Sequence, residues 1–281
     1  MHVMPPPSRP GIAAVAALAL VVALAAPTAA QAAVSHPANG RVDEVNVPRD
    51  AVTGFGGGTI FAPEVSGGAR LGSVVVVPGF TDSQADMRWY GTDLAALGYV
   101  VFTIDTLATT GFPQRRAEET LAAADYLTGA SAAKGEVDPA RVSALGYSMG
   151  GGAVLEAAEA RHTLKAVVAL MPFGLRTSYA ADTTPSLIIT GQNDRLAIPF
   201  LMGRRMYGSI AAPTPKQYLE LRGADHGVGQ RTPNPTILDA VTTFLQRYVD
   251  DDASAADRIC PPPPATGAIS ASDSYCGPAG S

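Results

Sequence analysis

A serine stands between two glycines in the pattern G-x-S-x-G at Gly146 to Gly150, within the stretch LGYSMGGG. An apolar run over 141–145 precedes this pattern and an alanine-rich stretch over 152–160 follows it, which predicts a strand, a sharp turn and a helix. The glycines two positions before and after Ser148 remove Cβ atoms where strand and helix would approach too closely. This context favours an exposed nucleophilic hydroxyl that attacks acyl carbonyls. The alternative is a serine in an ordinary glycine-rich turn.

A serine nucleophile needs a base beside it, and the four histidines differ in where the chain places them. His2 lies in an N-terminal leader, and His36 precedes the first predicted strand. His162 falls near the end of the helix that follows Ser148, roughly 20 Å away at 1.5 Å rise per residue. His226 follows the last predicted strand and therefore reaches the same sheet edge as the serine. We predict that His226 is the base, against the alternative of a surface-loop histidine.

Four aspartates compete for the role of the acid that orients this base. Asp194 follows a predicted strand over 186–190 and so lies at the carboxyl edge of the sheet, whereas Asp182 precedes that strand and faces the other end. Asp105 also ends a strand, but it comes before the serine and would break the order serine, aspartate, histidine that is expected at such a turn. Asp225 is the neighbour of His226 and cannot easily reach back to its ring. We therefore expect Asp194 to be the acid.

These residues predict acyl transfer by a serine hydrolase. His226 would accept the Ser148 proton during attack, and Asp194 would hold the imidazole tautomer and stabilise the imidazolium. The tetrahedral oxyanion needs two N–H donors. One is the amide of Met149 at the start of the next helix, and the second should come from the loop after an earlier strand, where we expect the amide of Phe80.

Strands and helices alternate along the chain, so the sequence predicts an α/β fold with a mostly parallel central sheet flanked by helices. Within the helix over 113–127, helical spacing puts Glu118 and Glu119 on the solvent side. A hairpin at the sheet edge is predicted from 41–47 and 59–62, and further strands from 72–80, 99–105, 141–145, 164–171, 186–190 and, as the last, 217–221. Helices are predicted over 83–97, 113–127, 152–160, 199–207 and 235–248.

Composition sets the general class of the protein. The chain has 281 residues, of which 47% are hydrophobic and 16% charged, enough for one substantial core. Its net charge is −5 and it has no lysine- or arginine-rich run, so we expect no nucleic-acid partner. No residue cluster predicts a metal or another cofactor. The expected partner is an ester substrate, polymeric or lipid in kind, and the protein is expected to be a monomer.

The first 32 residues have the pattern of a secretory signal peptide. Arg9 precedes an apolar run over 11–26, and Ala30 to Ala32 offers small residues for cleavage. The run is shorter than the roughly 20 residues that cross a bilayer, so no stable membrane anchor is expected. We predict a secreted, extracellular protein with a catalytic domain over 33–250 and a C-terminal tail over 251–281.

Both cysteines lie in that tail. Cys260 and Cys276 are 16 positions apart, and an oxidising compartment would allow them to pair. We therefore predict one disulfide between them.

The length of one loop predicts an uncovered site. Only residues 172–185 separate the strand that follows the nucleophile unit from the next strand, which leaves no room for a large cap domain. Ser148 should then lie in an open cleft edged by Phe80, Met149 and Phe173, whose apolar groups suit the hydrocarbon or aryl part of an ester. The alternative for these three side chains is ordinary core packing.

With these motifs in order, the chain resembles the secreted bacterial cutinases and polyester (polyethylene terephthalate) hydrolases of the α/β-hydrolase fold. The resemblance implies that Ser148, Asp194 and His226 form the triad and that Phe80 and Met149 supply the oxyanion hole. It covers nearly the whole chain after the leader. The matching stretches are Gly54 to Ile60, Pro78 to Thr81, Thr103 to Thr106, Leu145 to Gly152, Asn193-Asp194, His226 and the paired tail cysteines.

Several positions depart from that family's pattern. Phe80 stands where the family often has tyrosine, Tyr147 where it usually has histidine, and Met171 to Phe173 where it commonly has a tryptophan. The family's proline-asparagine pair after the histidine appears at Pro233-Asn234, which predicts a reshaped loop over 227–232. Two other functions stay open: a small-ester or lipid carboxylesterase on the same fold, and a secreted binding protein without catalysis.

Overall fold

The structure, a computed structural model, describes residues 1–4, 41–64 and 68–277. The chain divides into a unit of residues 1–32 and a unit of residues 33–281, and the elements below belong to the second. Most of the predicted signal peptide lies outside the described residues. Within the described ranges, no helix combines the length and hydropathy that a bilayer span requires.

Nine strands of the described residues form one sheet, in the spatial order β1-β2-β4-β3-β5-β6-β7-β8-β9. The six strands from β4 to β8 in this order pair in parallel, whereas β1, β2 and β9 pair antiparallel at the two sides. The strands are β1 Val42–Val47, β2 Gly58–Pro63, β3 Leu71–Val77, β4 Val100–Ile104, β5 Val137–Tyr147, β6 Val167–Leu170, β7 Ser186–Gly191, β8 Lys216–Leu221 and β9 Ile269–Tyr275.

The central strands are apolar on both faces because helices cover both sides of the sheet. Every residue of β3, β4, β6 and β7 is buried, which explains their continuous valine, isoleucine and leucine runs. One hydrophobic cluster joins the sheet to α2 and α3, and a second joins it to α1 and α5. The helices are α1 Arg88–Ala96, α2 Pro113–Gly129, α3 Met149–Ala160, α4 Gly203–Ser209 and α5 Pro235–Tyr248.

The connection between β6 and β7 is short and irregular. Residues 171–185 contain no helix or strand, so no cap domain is inserted at this point of the fold. The predicted fold class is confirmed in its parallel sheet and flanking helices.

The tail contributes to the sheet, so the expectation that β8 is the last strand is wrong. β9 pairs antiparallel with β8 from Lys216 opposite Tyr275 to Leu221 opposite Ile269. Its sequence, ISASDSY, has little apolar alternation, and all of its residues are only half-buried. Such a strand at a sheet edge is held by backbone pairing, which hydrophobic periodicity does not reveal.

Two local predictions also need correction. The segment expected to be one helix from residue 83 begins instead as a 3-10 turn over Gln84–Met87 before α1. Glu119 is only 1% exposed, although helical spacing placed it towards solvent with Glu118. Its carboxylate accepts a hydrogen bond from the Leu107 amide at 3.1 Å, a long-range partner that periodicity cannot predict.

Candidate active site

The candidate nucleophile lies on a strained turn between β5 and α3. β5 ends at Tyr147, α3 begins at Met149, and Ser148 between them has φ 53° and ψ −115°. A positive φ at a residue other than glycine costs about 1–3 kcal/mol and persists only where the surrounding structure imposes it. Ser148 is 8% exposed, so only a small part of the residue reaches solvent.

Two of the predicted glycines allow this turn by close approach of backbone atoms. A Cβ atom on Gly146 would lie 2.0 Å from the Gly150 carbonyl oxygen, and one on Gly150 would lie 2.3 Å from the Val77 carbonyl oxygen. Either substitution would therefore force the backbone of strand and helix apart. The spacing of the G-x-S-x-G pattern thus follows from the packing of α3 against β3 and β5.

His226 is the histidine that reaches the serine. Its Nε2 lies 2.9 Å from the Ser148 Oγ, so the loop after β8 meets the start of α3 at this contact. The Tyr147 hydroxyl donates a hydrogen bond to the His226 backbone carbonyl, and this contact holds the loop that carries the imidazole. His162 lies elsewhere, with its Nδ1 3.2 Å from the Thr183 hydroxyl.

Asp194 completes the hydrogen-bonded chain. Its Oδ2 lies 2.7 Å from the His226 Nδ1, while its Oδ1 accepts hydrogen bonds from the amides of Leu196 and Ala197, each at 2.8 Å. Burial alone would raise the pKa of Asp194, but the hydrogen bond and charge of His226 and the two amides outweigh burial and lower the pKa. The carboxylate is therefore ionised at neutral pH.

The other aspartates are engaged away from the histidine ring. Asp105 accepts hydrogen bonds from the backbone amide and the side-chain amide of Gln84, at 2.8 and 3.1 Å. Asp225 accepts from the Gly227 amide at 3.0 Å. Asp182 is buried at the amino end of β7, opposite the site. Asp194 is thus the acid that the fold brings to the histidine.

The loop after β3 lies directly against the serine. A Cβ on Gly79 would lie 3.2 Å from the Ser148 Cβ, and Phe80 is the next residue of this loop. Among the described residues, the amides of Phe80 and Met149 donate to no protein acceptor. The helix dipole of α3 also favours negative charge at Met149. These two amides could therefore hold an oxyanion.

The three apolar side chains predicted to edge the site differ in their exposure to solvent. Phe80 is 46% exposed, whereas Met149 and Phe173 are half-buried. The Phe173 amide donates to the Ser148 carbonyl at 2.9 Å, so this residue lies beside the turn. Leu196 and Phe200, which sequence reasoning missed, are exposed on the loop after Asp194. Their signal was two large apolar residues just after a candidate catalytic residue.

The loop that carries the histidine has further anchors that the sequence did not predict. The carbonyl of Gly229 accepts hydrogen bonds from the Trp89 Nε1 at 3.0 Å and from the Tyr90 hydroxyl at 2.8 Å. The side-chain amide of Gln230 donates to Asp82 at 2.7 Å. The helix α1 and the loop after β3 thereby anchor the 226–231 loop.

The tail cysteines form the expected disulfide. Cys260 and Cys276 are bonded, with their Cα atoms 6.3 Å apart. The bond joins the segment after α5 to the end of β9, so it fastens the added edge strand to the domain.

The sheet is mostly parallel, and a strained serine follows its central strand. An aspartate and a histidine come later in the chain and lie at the same edge of the sheet. This arrangement defines an α/β-hydrolase. A family model described as "PETase: PET hydrolase-like" matches residues 18–277. The chain belongs to this PET hydrolase-like family and is a carboxylic ester hydrolase.

Curated relatives agree with this family. A bis(hydroxyethyl) terephthalate hydrolase of Streptomyces coelicolor is 40% identical over 222 residues, covering 79% of this chain and 71% of the relative. A cutinase of Thermobifida alba is 39% identical over 236 residues, covering 83% and 77%. A cutinase of Thermobifida fusca is 37% identical over 224 residues, covering 79% and 73%. The resemblance that the motifs indicated is thereby confirmed.

Proposed function

We propose that this chain is a secreted serine ester hydrolase of the cutinase and polyester-hydrolase type, which works through an acyl-enzyme on Ser148. The observation that carries the proposal is the continuous hydrogen-bonded chain from the Ser148 Oγ through His226 to Asp194. This arrangement lets an imidazole accept the hydroxyl proton while a buried carboxylate stabilises the resulting imidazolium.

In the acylation step, His226 Nε2 takes the proton of Ser148 as the Oγ attacks the ester carbonyl carbon. The carbonyl oxygen becomes an oxyanion that accepts hydrogen bonds from the amides of Phe80 and Met149. The tetrahedral intermediate collapses when the bond from carbon to the alcohol oxygen breaks. His226 gives its proton to that oxygen, and the alcohol leaves.

Deacylation repeats these steps with water as the nucleophile. His226 accepts a proton from a water molecule as its oxygen attacks the acyl carbonyl carbon, and the same two amides hold the second oxyanion. The bond to the Ser148 Oγ then breaks, the serine regains its proton from His226, and the carboxylic acid leaves.

Exposed apolar side chains near the catalytic residues in sequence support a bulky, apolar ester as substrate. Phe80 lies on the loop after β3, and Leu196 and Phe200 follow Asp194 on its loop; all three are exposed, and no inserted domain follows β6. Apolar side chains of this kind suit an aryl or alkyl chain that extends beyond the reacting carbonyl. We therefore propose polyesters and their oligomers as substrates.

A second candidate, the hydrolysis of small aromatic diesters, also has specific support. One relative bears the name of a bis(hydroxyethyl) terephthalate hydrolase, which describes a small terephthalate ester rather than a polymer. The positions where the polyester-hydrolase pattern is altered, Phe80, Tyr147 and Phe173, surround the serine. A smaller aromatic surface would favour a short ester over a polymer chain.

A substrate panel separates the two candidates. Wild-type protein and a Ser148→Ala blank are compared on a short-chain nitrophenyl ester, a soluble terephthalate diester and an aliphatic and an aromatic polyester film. Release of acid from all of them by wild type alone supports the polyester hydrolase. Activity restricted to the two soluble esters supports the small-ester alternative and overturns the polymer assignment.

A fluorophosphonate probe separates both enzymes from a silent binding protein. A working triad phosphonylates the serine, so we expect wild type to be labelled and both Ser148→Ala and His226→Ala to remain unlabelled. Absence of labelling in correctly folded wild type, together with no hydrolysis in the panel, would contradict the proposal of a serine hydrolase.

We further propose that residues 1–32 direct secretion, that the mature chain begins at Ala33 with a catalytic domain over 33–250 and a tail over 251–281, and that it acts as a monomer. The disulfide between Cys260 and Cys276 supports an oxidising compartment. N-terminal sequencing of protein recovered from the culture medium should begin at Ala33. Retention in the cell with an intact N-terminus would contradict secretion.

A further inference from the structure

Arg116 is a buried cation in the first turns of α2. Its side chain is 0% exposed and is among the largest fully buried side chains of the described residues. A positive charge near a helix N-terminus opposes the helix dipole, and removing a guanidinium from water has a large cost. A residue kept in such a place needs a compensating set of interactions.

The guanidinium donates mainly to backbone carbonyls of two loops. Its Nη1 donates to the Pro78 carbonyl at 3.1 Å, its Nη2 to the Thr109 carbonyl at 2.5 Å and its Nε to the Gly111 carbonyl at 2.8 Å. The Nη1 also lies 3.4 Å from the Thr106 hydroxyl. Arg116 thus connects the loop after β3 with the loop after β4.

These contacts bracket the segment that carries the candidate oxyanion donor. Pro78 lies two residues before Phe80, and its carbonyl is held directly by Arg116. On the other side, Thr81 has φ 64° and donates its amide to the same Thr109 carbonyl that Arg116 holds, at 2.8 Å. Phe80 is therefore held on both sides, while its own amide has no protein acceptor among the described residues.

The planar guanidinium suits this task better than a lysine would. Its fork presents several N–H groups in fixed directions, so one side chain can hold three carbonyls of two loops at once. Burial lowers the pKa of Arg116, while the nearby carboxylates of Glu119 and Asp82 favour its charged form. The buried Glu119, which periodicity had placed in solvent, lies on the same helix and holds the Leu107 amide of the same loop.

We propose that Arg116 is a positioning residue for the oxyanion hole: it holds the Pro78–Thr81 segment so that the Phe80 amide points at the oxygen of the tetrahedral intermediate. This inference rests on the proposed function, because it assigns a supporting group to that same reaction. Arg116 itself touches no reacting atom.

A substrate pair can detect an oxyanion defect apart from a loss of folded protein. An aryl butyrate and its thionobutyrate analogue, in which sulfur replaces the carbonyl oxygen, share the same leaving group and acyl chain. Sulfur is larger and a weaker hydrogen-bond acceptor, so the thiono ester gains less from the two amides. Loss of active protein lowers both rates equally, whereas a misplaced amide lowers the oxygen ester rate more.

We expect Arg116→Met to lower kcat for the oxygen ester at least about tenfold, part of the roughly 10²–10³-fold cost of losing a whole oxyanion donor. Relative to wild type, KM for the oxygen ester and the rate on the thiono ester should each change by less than about threefold. Arg116→Lys, which keeps the charge without the fork, should shift the ratio of the two rates in the same direction. It serves as the test if the methionine variant does not fold.

Arg141→Met is the matched control. Arg141 is a half-buried arginine that donates to Asp138 and Asp250 at 3.0 and 3.1 Å, near the amino end of β5's paired region. Its loss should lower stability without changing the ratio of the two rates. An unchanged ratio in both Arg116 variants, with wild type active, would overturn this inference alone. Wild type inactive on both esters and unlabelled by a fluorophosphonate would overturn it together with the proposed function.

Discussion

The hydroxyl of Tyr147 donates a hydrogen bond to the backbone carbonyl of His226, so the residue before the candidate nucleophile holds the loop that carries the candidate base. The two rings also lie close, with centroids 5.5 Å apart. Burial raises the pKa of Tyr147, and the carboxylates of Asp82, Asp194 and Asp225 raise it further, so the phenol remains a donor at any working pH. The turn at Ser148 therefore positions both partners of the proton transfer.

Replacing Tyr147 by phenylalanine removes the hydroxyl, so the carbonyl of His226 loses this hydrogen bond. Loss of one such hydrogen bond costs about 1 kcal/mol, and the freed loop should misplace the imidazole enough to lower kcat about five- to tenfold. The variant is measured by steady-state kinetics and thermal melting. Tyr126→Phe, at a half-buried ring that packs against Phe55 and Phe102, is the control and should stay near wild type. Wild-type kcat in Tyr147→Phe would show that the contact does not position His226.

The assignment of Asp194 as the acid predicts that asparagine substitutions at two aspartates will differ greatly in their effect on kcat. Asp194→Asn should lower kcat about 10³- to 10⁴-fold, because an amide opposite the His226 Nδ1 favours the wrong tautomer. Asp105→Asn should change kcat less than tenfold, since Asp105 holds Gln84 rather than the histidine. Near wild-type activity of Asp194→Asn beside an inactive Asp105→Asn would reverse the assignment.

The lowered pKa of Asp194 also predicts how stability depends on pH. A carboxyl group whose folded-state pKa lies below its usual value of 3.8 stabilises the fold fully above that value and loses this contribution as pH falls through the lower, folded-state pKa. In Asp194→Asn the retained oxygen can still accept from the Leu196 and Ala197 amides, so the variant removes the charge and its contact with the His226 Nδ1 but keeps these two hydrogen bonds. Urea unfolding midpoints should differ by a constant amount above about pH 4 and converge only as pH falls further, through the folded-state pKa of Asp194. A difference that grows in acid would contradict this reading.

The tail disulfide predicts a loss of stability on reduction. Cys260 and Cys276 close a loop of 16 positions, and breaking such a loop costs roughly 3 kcal/mol in the unfolded-state entropy model. Cys260→Ser should lower the melting temperature of the oxidised protein, and reductant should lower wild type to a similar value but leave the variant unchanged. kcat should be preserved at temperatures where the variant is folded. A further drop of the variant in reductant would show that some other effect is involved.

The serine turn could be predicted from the sequence because short-range geometry dictates its residue types. Gly146 and Gly150 stand where backbone atoms come too close for a Cβ. This requirement is visible as a pattern of five consecutive residues. His226 and Asp194 could be placed because parallel strands end at one edge, so a loop position after a strand predicts its neighbours. Their catalytic roles are the part that experiment must test.

What the sequence did not predict depends on contacts between distant residues. β9 is a polar edge strand that forms by backbone pairing with β8, so no periodic apolar pattern predicts it. Glu119 was expected on the solvent face of its helix, yet it is buried against a backbone amide of the loop after β4. Arg116 on the same helix is buried against backbone carbonyls of two loops, and the sequence made no prediction for it. The Tyr147 contact joins positions 79 residues apart in sequence.

Trapping the acyl-enzyme identifies the nucleophile by its covalent intermediate. Protein mixed with a nitrophenyl ester is quenched in acid before deacylation, digested and mapped by mass spectrometry. The acyl mass should appear on the peptide that contains Ser148, should disappear in Ser148→Ala, and should be strongly reduced in His226→Ala. An acyl group on another residue, or ester turnover that survives Ser148→Ala, would contradict the proposal that this serine is the nucleophile.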